Sequence, residues 1–407
     1  MTEQIENIPT PSVNRIALLE GARGFLAAWV MVGHFIYFVA ARDHATNPLV
    51  KILIAIFTSG NVAVALFMVL SGFVISHLIL TRREPYYPYL ARRFLRLFPA
   101  YFCCLLLGLI TTFLASPVLS ALPWSSNEWV MHQAQLAITH REYAIGHFIT
   151  HLSMLHGLVP SFVLPDSTGA LLGVGWSIST EWQFYIVAPL AIALTRTIVG
   201  WRVLATTVVI CLLAFTKIGI AQPLRNEMAA MLGFHTQYFF IGGVSYWVWM
   251  RIGSWLDGLR RDDTCGFVSV AGVAAAILMF LDRGLALWCL LFACMAQLRA
   301  APDSFEAKVV SAVGLSRFSF YLGKISYSLY LVHWPIGILT LRLLFPFLSL
   351  PYAIIAGLYI ISASALSIVA AHLLYRFVEA PAIRWGKKKF VSINFSARQL
   401  PSSIGVS

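Results

Sequence analysis

Charge is what this sequence has least of. Only 11% of its 407 residues are Asp, Glu, Lys or Arg, against about 25% in an ordinary soluble domain. Acidic residues are the scarcer kind, 17 against 29 Lys and Arg. Cysteine is sparse too: the six, at 103, 104, 211, 265, 289 and 294, make no CxxC and no Cys/His metal spacing. They read as small apolar filler. A cleavable signal peptide is missing as well, because Met1–Asn14 is polar and holds Glu3 and Glu6. What the sequence does have is apolar surface, 59% of its residues. A soluble chain of this length cannot enclose that much in one core, so lipid is the solvent for much of it.

The formal charge of +12 does not point to nucleic acid. Arg and Lys occur in short clusters between apolar runs, the pattern that encodes membrane orientation, and no stretch interleaves them with aromatics along a polar face. Ten runs are long enough to cross a bilayer: about 16–40, 52–80, 96–115, 176–195, 203–220, 233–251, 266–281, 284–298, 325–346 and 352–377. The seventh and eighth are parted only by Asp282-Arg283 and read as a tight hairpin. Open sheets cannot span lipid, so the expected fold is all-α, a polytopic membrane protein.

Placing the N-terminus in the cytoplasm leaves only Arg42, Lys51, Arg141, Arg225 and Arg283 outside, and Arg23, Lys217, Arg342 and Arg376 within spans. The other 20 of the 29 basic residues then lie inside. That asymmetry predicts both termini cytoplasmic. The expected organisation is a cytoplasmic segment 1–14, a transmembrane domain 15–385 with an external loop 116–175, and a basic then polar tail, 386–407, read as disordered or lying on anionic lipid. The loop holds five histidines, and its semi-apolar stretch Tyr143–Leu164 reads as a re-entrant or interfacial helix. His147 and His151 stand at i, i+4 with His156 nearby. No HExxH arrangement or firm third ligand accompanies them, so no metal is expected.

Ionisable groups inside a span are costly and mark functional sites. On the first span Arg23 and His34 are eleven residues apart, about 16.5 Å of rise and about 20° beyond three turns, so both project from one face. The fourth span opens Trp176-Ser177-Ile178-Ser179-Thr180-Glu181-Trp182-Gln183-Phe184-Tyr185. Counted from the outer surface, Glu181 and His34 lie at similar depth, and Glu181 orients His34 if the two helices are neighbours. The second span carries Leu70-Ser71-Gly72-Phe73, where small residues favour close helix approach. Arg92-Arg93-Phe94-Leu95-Arg96-Leu97-Phe98-Pro99 follows, with Arg92 and Arg96 on one face, suited to phosphates or to anchoring at the inner surface. The ninth span holds Ile325-Ser326-Tyr327-Ser328-Leu329-Tyr330-Leu331-Val332-His333-Trp334-Pro335.

These segments, with Leu19-Glu20-Gly21-Ala22-Arg23-Gly24, Phe67–Phe73 and Glu379-Ala380-Pro381, occur in the order found in the acyltransferase 3 family of integral membrane acyltransferases, which the chain resembles from about 15 to 385. The chain departs from the family in Glu20, where Asp is usual, in Trp182, where a second Glu is common, and in Ala380, where a basic residue is frequent. The resemblance implies an acyl-CoA-dependent O-acyltransferase in a plasma membrane, the inner membrane of a bacterium, that moves an acyl group, acetyl by preference, to a hydroxyl of a cell-surface or lipid-linked carbohydrate. Acyl-CoA is then a co-substrate, and no permanently bound cofactor is implied. The functional positions fall on Arg23, Arg92, Arg93, Arg96 and Ser71 for the donor, on His34 and Glu181 for the chemistry, and on His333, Trp176 and Tyr330 for the acceptor. The rival function is a transporter or flippase, in which an intramembrane Arg/His/Glu set forms an ion pathway; it predicts inverted repeats, and residues 15–195 show no self-similarity to 200–380.

Overall fold

A computed structural model describes residues 14–82, 84–195, 197–215, 222–258, 271–276 and 282–397. Among them there is no strand. The helices are α1 (Asn14–Phe38), α2 (Ala41–His44), α3 (Pro48–Phe57), α4 (Gly60–Arg82), α5 (Tyr86–Ser120), α6 (Glu128–Glu142), α7 (Ala144–Leu152), α8 (Gly175–Leu194), α9 (Ile198–Phe215), α10 (Gln222–Glu227), α11 (Thr236–Gly258), α12 (Arg283–Ala300), α13 (Phe305–Gly314), α14 (Arg317–Leu343), α15 (Tyr352–Leu374) and α16 (Ala380–Ala397). A π-helical turn, Tyr375–Glu379, joins the last two.

Among the described residues, four runs are both long and apolar enough to cross a bilayer: Pro48–Arg82, Tyr86–Ser120, Arg283–Ala300 and Tyr352–Phe390. α1, α8, α11 and α14 have the length, at 25, 20, 23 and 27 residues. Their apolarity is diluted by polar residues, Arg23 and His34 in α1 and Ser179, Thr180 and Glu181 in α8. Part of the expected seventh span, and Arg83, Arg196, Lys217 and Cys265, lie outside the described residues.

The chain divides into two compact units, the first formed by Met1–Val74, His235–Tyr330 and Pro346–Ser364, the second by Ile75–Phe234, Leu331–Phe345 and Ala365–Ser407. In the first unit the expected span 52–80 is two helices rather than one. α3 starts at Pro48 behind an Asn47 cap whose Oδ1 accepts from Leu49 N at 2.8 Å, and it ends at Thr58. A helix end in lipid strands its last carbonyls unless protein groups take them, and here each is taken. Thr58 N and Oγ1 donate to Ile54 O, Ser59 Oγ donates to Ala55 O at 2.7 Å, and Trp29 Nε1 of α1 donates to Ile56 O at 2.9 Å and Phe57 O at 3.1 Å. The break therefore ties α3 to α1.

In the second unit α5 is the spine. α6 runs along it, and α16 lies against its first turns, with Gly386 against the Leu95 side chain and the Phe390 ring 6.2 Å from that of Tyr87. This corrects the disorder expected from residue 386: the helix continues to Ala397, because Gly386 and Phe390, one turn apart and both buried, give the basic segment a side to lay on α5. Residues 398–407 lie outside the described residues.

Candidate functional site

On α1 the two polar groups are held by glycines. A Cβ on Gly21 or Gly24 would meet α13 and α14 at Gly314, Ser319, Leu322 and the Gly323 backbone, and one on Gly323 would meet the Glu20 carbonyl. Gly21 and Gly24 flank Arg23, so the close crossing fixes where Arg23 leaves the helix. Ten residues further on, Gly33 abuts the Phe57 carbonyl at the α3 break, next to His34. Arg23 and His34 are each half-buried. The Arg23 Nε is buried with no hydrogen-bond partner in the protein, a guanidinium N–H in need of an acceptor.

In the second unit α8 divides its motif between two tasks. Ser179, Thr180 and Gln183 are buried structural groups. Ser179 Oγ accepts from Gly157 N at 3.1 Å, Thr180 Oγ1 donates to Ala230 O at 2.8 Å, and Gln183 bridges Ala230 O at 3.1 Å and Leu232 N at 2.8 Å. On the other side Tyr185 donates its hydroxyl to Glu181 Oε1, and the Arg93 guanidinium sits 5.9 Å from the Tyr185 ring centre. Tyr185 thus couples the arginine motif of α5 to the carboxylate of α8. Arg92 is buried and ion-paired with Glu84, and the Nε groups of Arg92 and Arg93 are, like that of Arg23, buried without partners.

The expected residues are distributed over both units: Arg23, His34, Ser71 and Tyr330 belong to the first, and Arg92, Arg93, Arg96, Trp176, Glu181 and His333 to the second. Within the first, the Phe67 and Tyr330 rings meet at 5.9 Å, which brings two of the motifs together. Ser71 and Tyr330 are buried there. In the second, His333 is fully buried, and its neighbour Trp334 packs on Gly173 and on Trp129 at 6.4 Å. Sequence reasoning missed Tyr185 and Glu84. Tyr185 stands at i+4 from Glu181, the spacing at which helical side chains meet, and that signal was available. Glu84 carries none, because its pairing depends on the turn between α4 and α5.

The loop histidines are far more buried than interfacial residues would be: His147, His151 and His156 are fully enclosed and His140 nearly so. α7 has nine residues, too few to span a bilayer. Among the described residues no three His, Cys, Asp or Glu side chains are placed to hold a metal ion. Burial lowers His147 to about 4 and His156 to about 3 and takes His151 well below the usual histidine value. A folded-state value below the unfolded one, about 6.5, means that the unfolded loop binds more protons between them. Stability is then complete above about pH 6.5 and lost progressively as pH falls through the lowered folded-state values. Hydrogen exchange of residues 144–175, corrected for intrinsic rates, is expected to show strong protection at pH 7 and progressive opening by pH 4.5. Equal protection at both would refute it.

The family model of an acyltransferase domain matches residues 16–376. No curated protein and no solved structure matches the chain.

Proposed function

The chain belongs to the acyltransferase 3 family, and from that premise we propose that it moves an acyl group from acyl-CoA to a hydroxyl of a cell-surface or lipid-linked carbohydrate, with His34 at the chemical centre. One observation carries the donor side. Arg23, Arg92 and Arg93 each hold a buried, unpartnered Nε, and a buried guanidinium N–H left unpaired costs free energy that the phosphates of an anionic donor would recover. An acyl-CoA supplies such phosphates. Glu84 then acts as a stand-in anion on Arg92 that the donor displaces.

His34 takes the proton of the acceptor hydroxyl as its oxygen attacks the thioester carbonyl. The O–C bond forms, the C–S bond breaks, and the thiolate leaves. In the variant route His34 attacks first and carries the acyl group as an acyl-imidazole to the acceptor. Glu181, held by Tyr185, is assigned to the same chemistry as a carboxylate, the kind of group that stabilises a protonated imidazole. Topology gives the relay route its appeal, because the donor binds on the cytoplasmic side while His34 stands in the outer half of α1. Membrane spans, ten in number with both termini inside, set that geometry.

Membranes enriched in the protein are expected to move radiolabel from the acyl group of acyl-CoA into a polysaccharide or lipid-linked fraction, while membranes lacking it do not. Vesicle uptake of a substrate without label transfer would instead select the transporter reading.

A further inference from the structure

α16 carries four cations that the acyl-transfer steps do not use, Arg384, Lys387, Lys388 and Lys389, and residues 380–397 contain no Asp or Glu to balance them. All four are exposed. The side of the helix that packs is another one. Gly386 lies against the Leu95 side chain, and Phe390 is buried with its ring 6.2 Å from that of Tyr87. At about 100° per residue, Lys388 projects from the side opposite Gly386 and Phe390, with Arg384 one turn before it. Among the described residues none of Arg384, Lys387 and Lys388 is ion-paired.

The contact with α5 fixes the height of these charges. Leu95, which Gly386 meets, is the residue before the expected span 96–115, and the apolar run Tyr352–Phe390 leads into α16 without a break. Arg384 to Lys389 lie within three residues of Gly386, about 4.5 Å of rise, so they stand where α5 enters lipid. Exposed aromatics accompany them: Trp385 is 52% and Tyr87 72% exposed, rings of the kind that gather at a membrane–water boundary. Lys389 Nζ sits 4.7 Å from the centre of the Trp385 ring. Arg92 and Arg93 of α5 add charge at the same height, and Glu84, the one acid between residues 82 and 97, is paired with Arg92. Like charges gathered in this way repel one another and call for anions nearby. A soluble anion is held best in an enclosed site, whereas outward, exposed cations beside the end of a span suit a continuous anionic surface.

We propose that the outward side of α16 is a docking surface for anionic lipid headgroups, which pins the first turns of α5 to the leaflet through Gly386 and Phe390. The phosphates of the headgroups take the charge of Arg384, Lys387 and Lys388, and Trp385 lies among the same lipids. No step of acyl transfer enters this assignment, so it stands or falls apart from that reaction.

The test uses the full chain in nanodiscs of phosphatidylcholine with a minority of phosphatidylglycerol. In one set the phosphatidylglycerol carries bromine close to the headgroup, and in the other an equal amount of the phosphatidylcholine does. Bromine quenches indole emission at short range, and the difference between the parent and Trp385→Phe isolates Trp385. Its emission is expected to be quenched about fivefold more strongly by the brominated anionic lipid, the preference that one cation near a membrane surface confers. Salt at about 1 M, where the screening length is about 3 Å, is expected to abolish that preference in the parent. The combined change Arg384→Gln, Lys387→Gln and Lys388→Gln should abolish it too, while Lys308→Gln with Arg317→Gln, exposed cations of the other unit, should leave it intact. Equal quenching of the parent by the two lipids, or quenching by neither, overturns the docking surface. So does a preference that survives the triple change, or one that the Lys308 and Arg317 changes remove. Coenzyme A that displaces the anionic lipid from Trp385 in a saturable way would assign these cations to a soluble anion and overturn it as well.

Discussion

His34→Ala protein is expected to lose acyl transfer by a factor of about 10²–10⁴, the usual contribution of a positioned general base, while accumulating and inserting as the parent does. The two effects separate because α1 is held elsewhere. Its crossing with α14 is made at Gly21 and Gly24. Its junction with α3 is made by Trp29 and Gly33. His34 leaves the helix about 100° from Gly33, so truncating it disturbs neither contact. His34→Gln should not recover the rate, since an amide keeps the size and the hydrogen bonds but takes no proton. Incubating the parent with labelled acyl-CoA and no acceptor then divides the two routes. Label that survives denaturation and is released by hydroxylamine marks the acyl relay, and an active enzyme that retains none transfers directly. Product formation by His34→Ala at the parent rate, with equal protein in the membrane, would sink both routes.

Arg23 and His34 were legible because an α-helix repeats every 3.6 residues, and sequence spacing alone puts them on one face. The lipid class was legible from composition, and a close helix approach at Ser71-Gly72 from the small-residue rule. What spacing cannot supply is a partner distant in sequence. Gly72 is visible as small, but not the Phe239 carbonyl that it meets. The α3–α4 break hides inside an unbroken apolar run, because Thr58 and Ser59 are compatible with a continuous helix until Trp29 captures the freed carbonyls. The helix through 386–397 hides for the opposite reason: its charge reads as a solvated tail, while Gly386 and Phe390 decide its packing. Depth counting set Glu181 level with His34, and Tyr185, one turn along the same helix, donates to its carboxylate.

The second large effect falls on stability. Gly242→Val is expected to leave no folded protein after detergent extraction, judged by size-exclusion elution, and Gly242→Ala to fold with a lowered Tm. A Cβ at Gly242 would meet the Val69 carbonyl, the Phe73 nitrogen and the Gly72 Cα, and one at Gly72 would meet the Phe239 backbone. Every one of those atoms is main chain, so no rotamer change relieves the clash and α4 must move away from α11. That movement also opens the aromatic cluster built on the crossing. Phe73 packs edge-on to Tyr246 at 5.4 Å and against Trp288 at 5.6 Å, and Trp288 Nε1 donates to Ser245 Oγ at 2.9 Å. Overpacking costs about 1–3 kcal/mol, each aromatic pair is worth about 0.5–1.5 kcal/mol, and in lipid no hydrophobic force presses the helices back together. Because Gly72 and Gly242 guard the same gap, Gly72→Ala combined with Gly242→Ala should cost less than the two single changes added, whereas independent sites would add. Ser71 gives the crossing its functional reach: it adjoins Gly72 and is assigned to the donor site, so Gly72→Ala should raise the KM for acyl-CoA before it lowers protein yield. A Gly242→Val protein with the parent's elution and Tm would show that the two helices do not meet at these glycines.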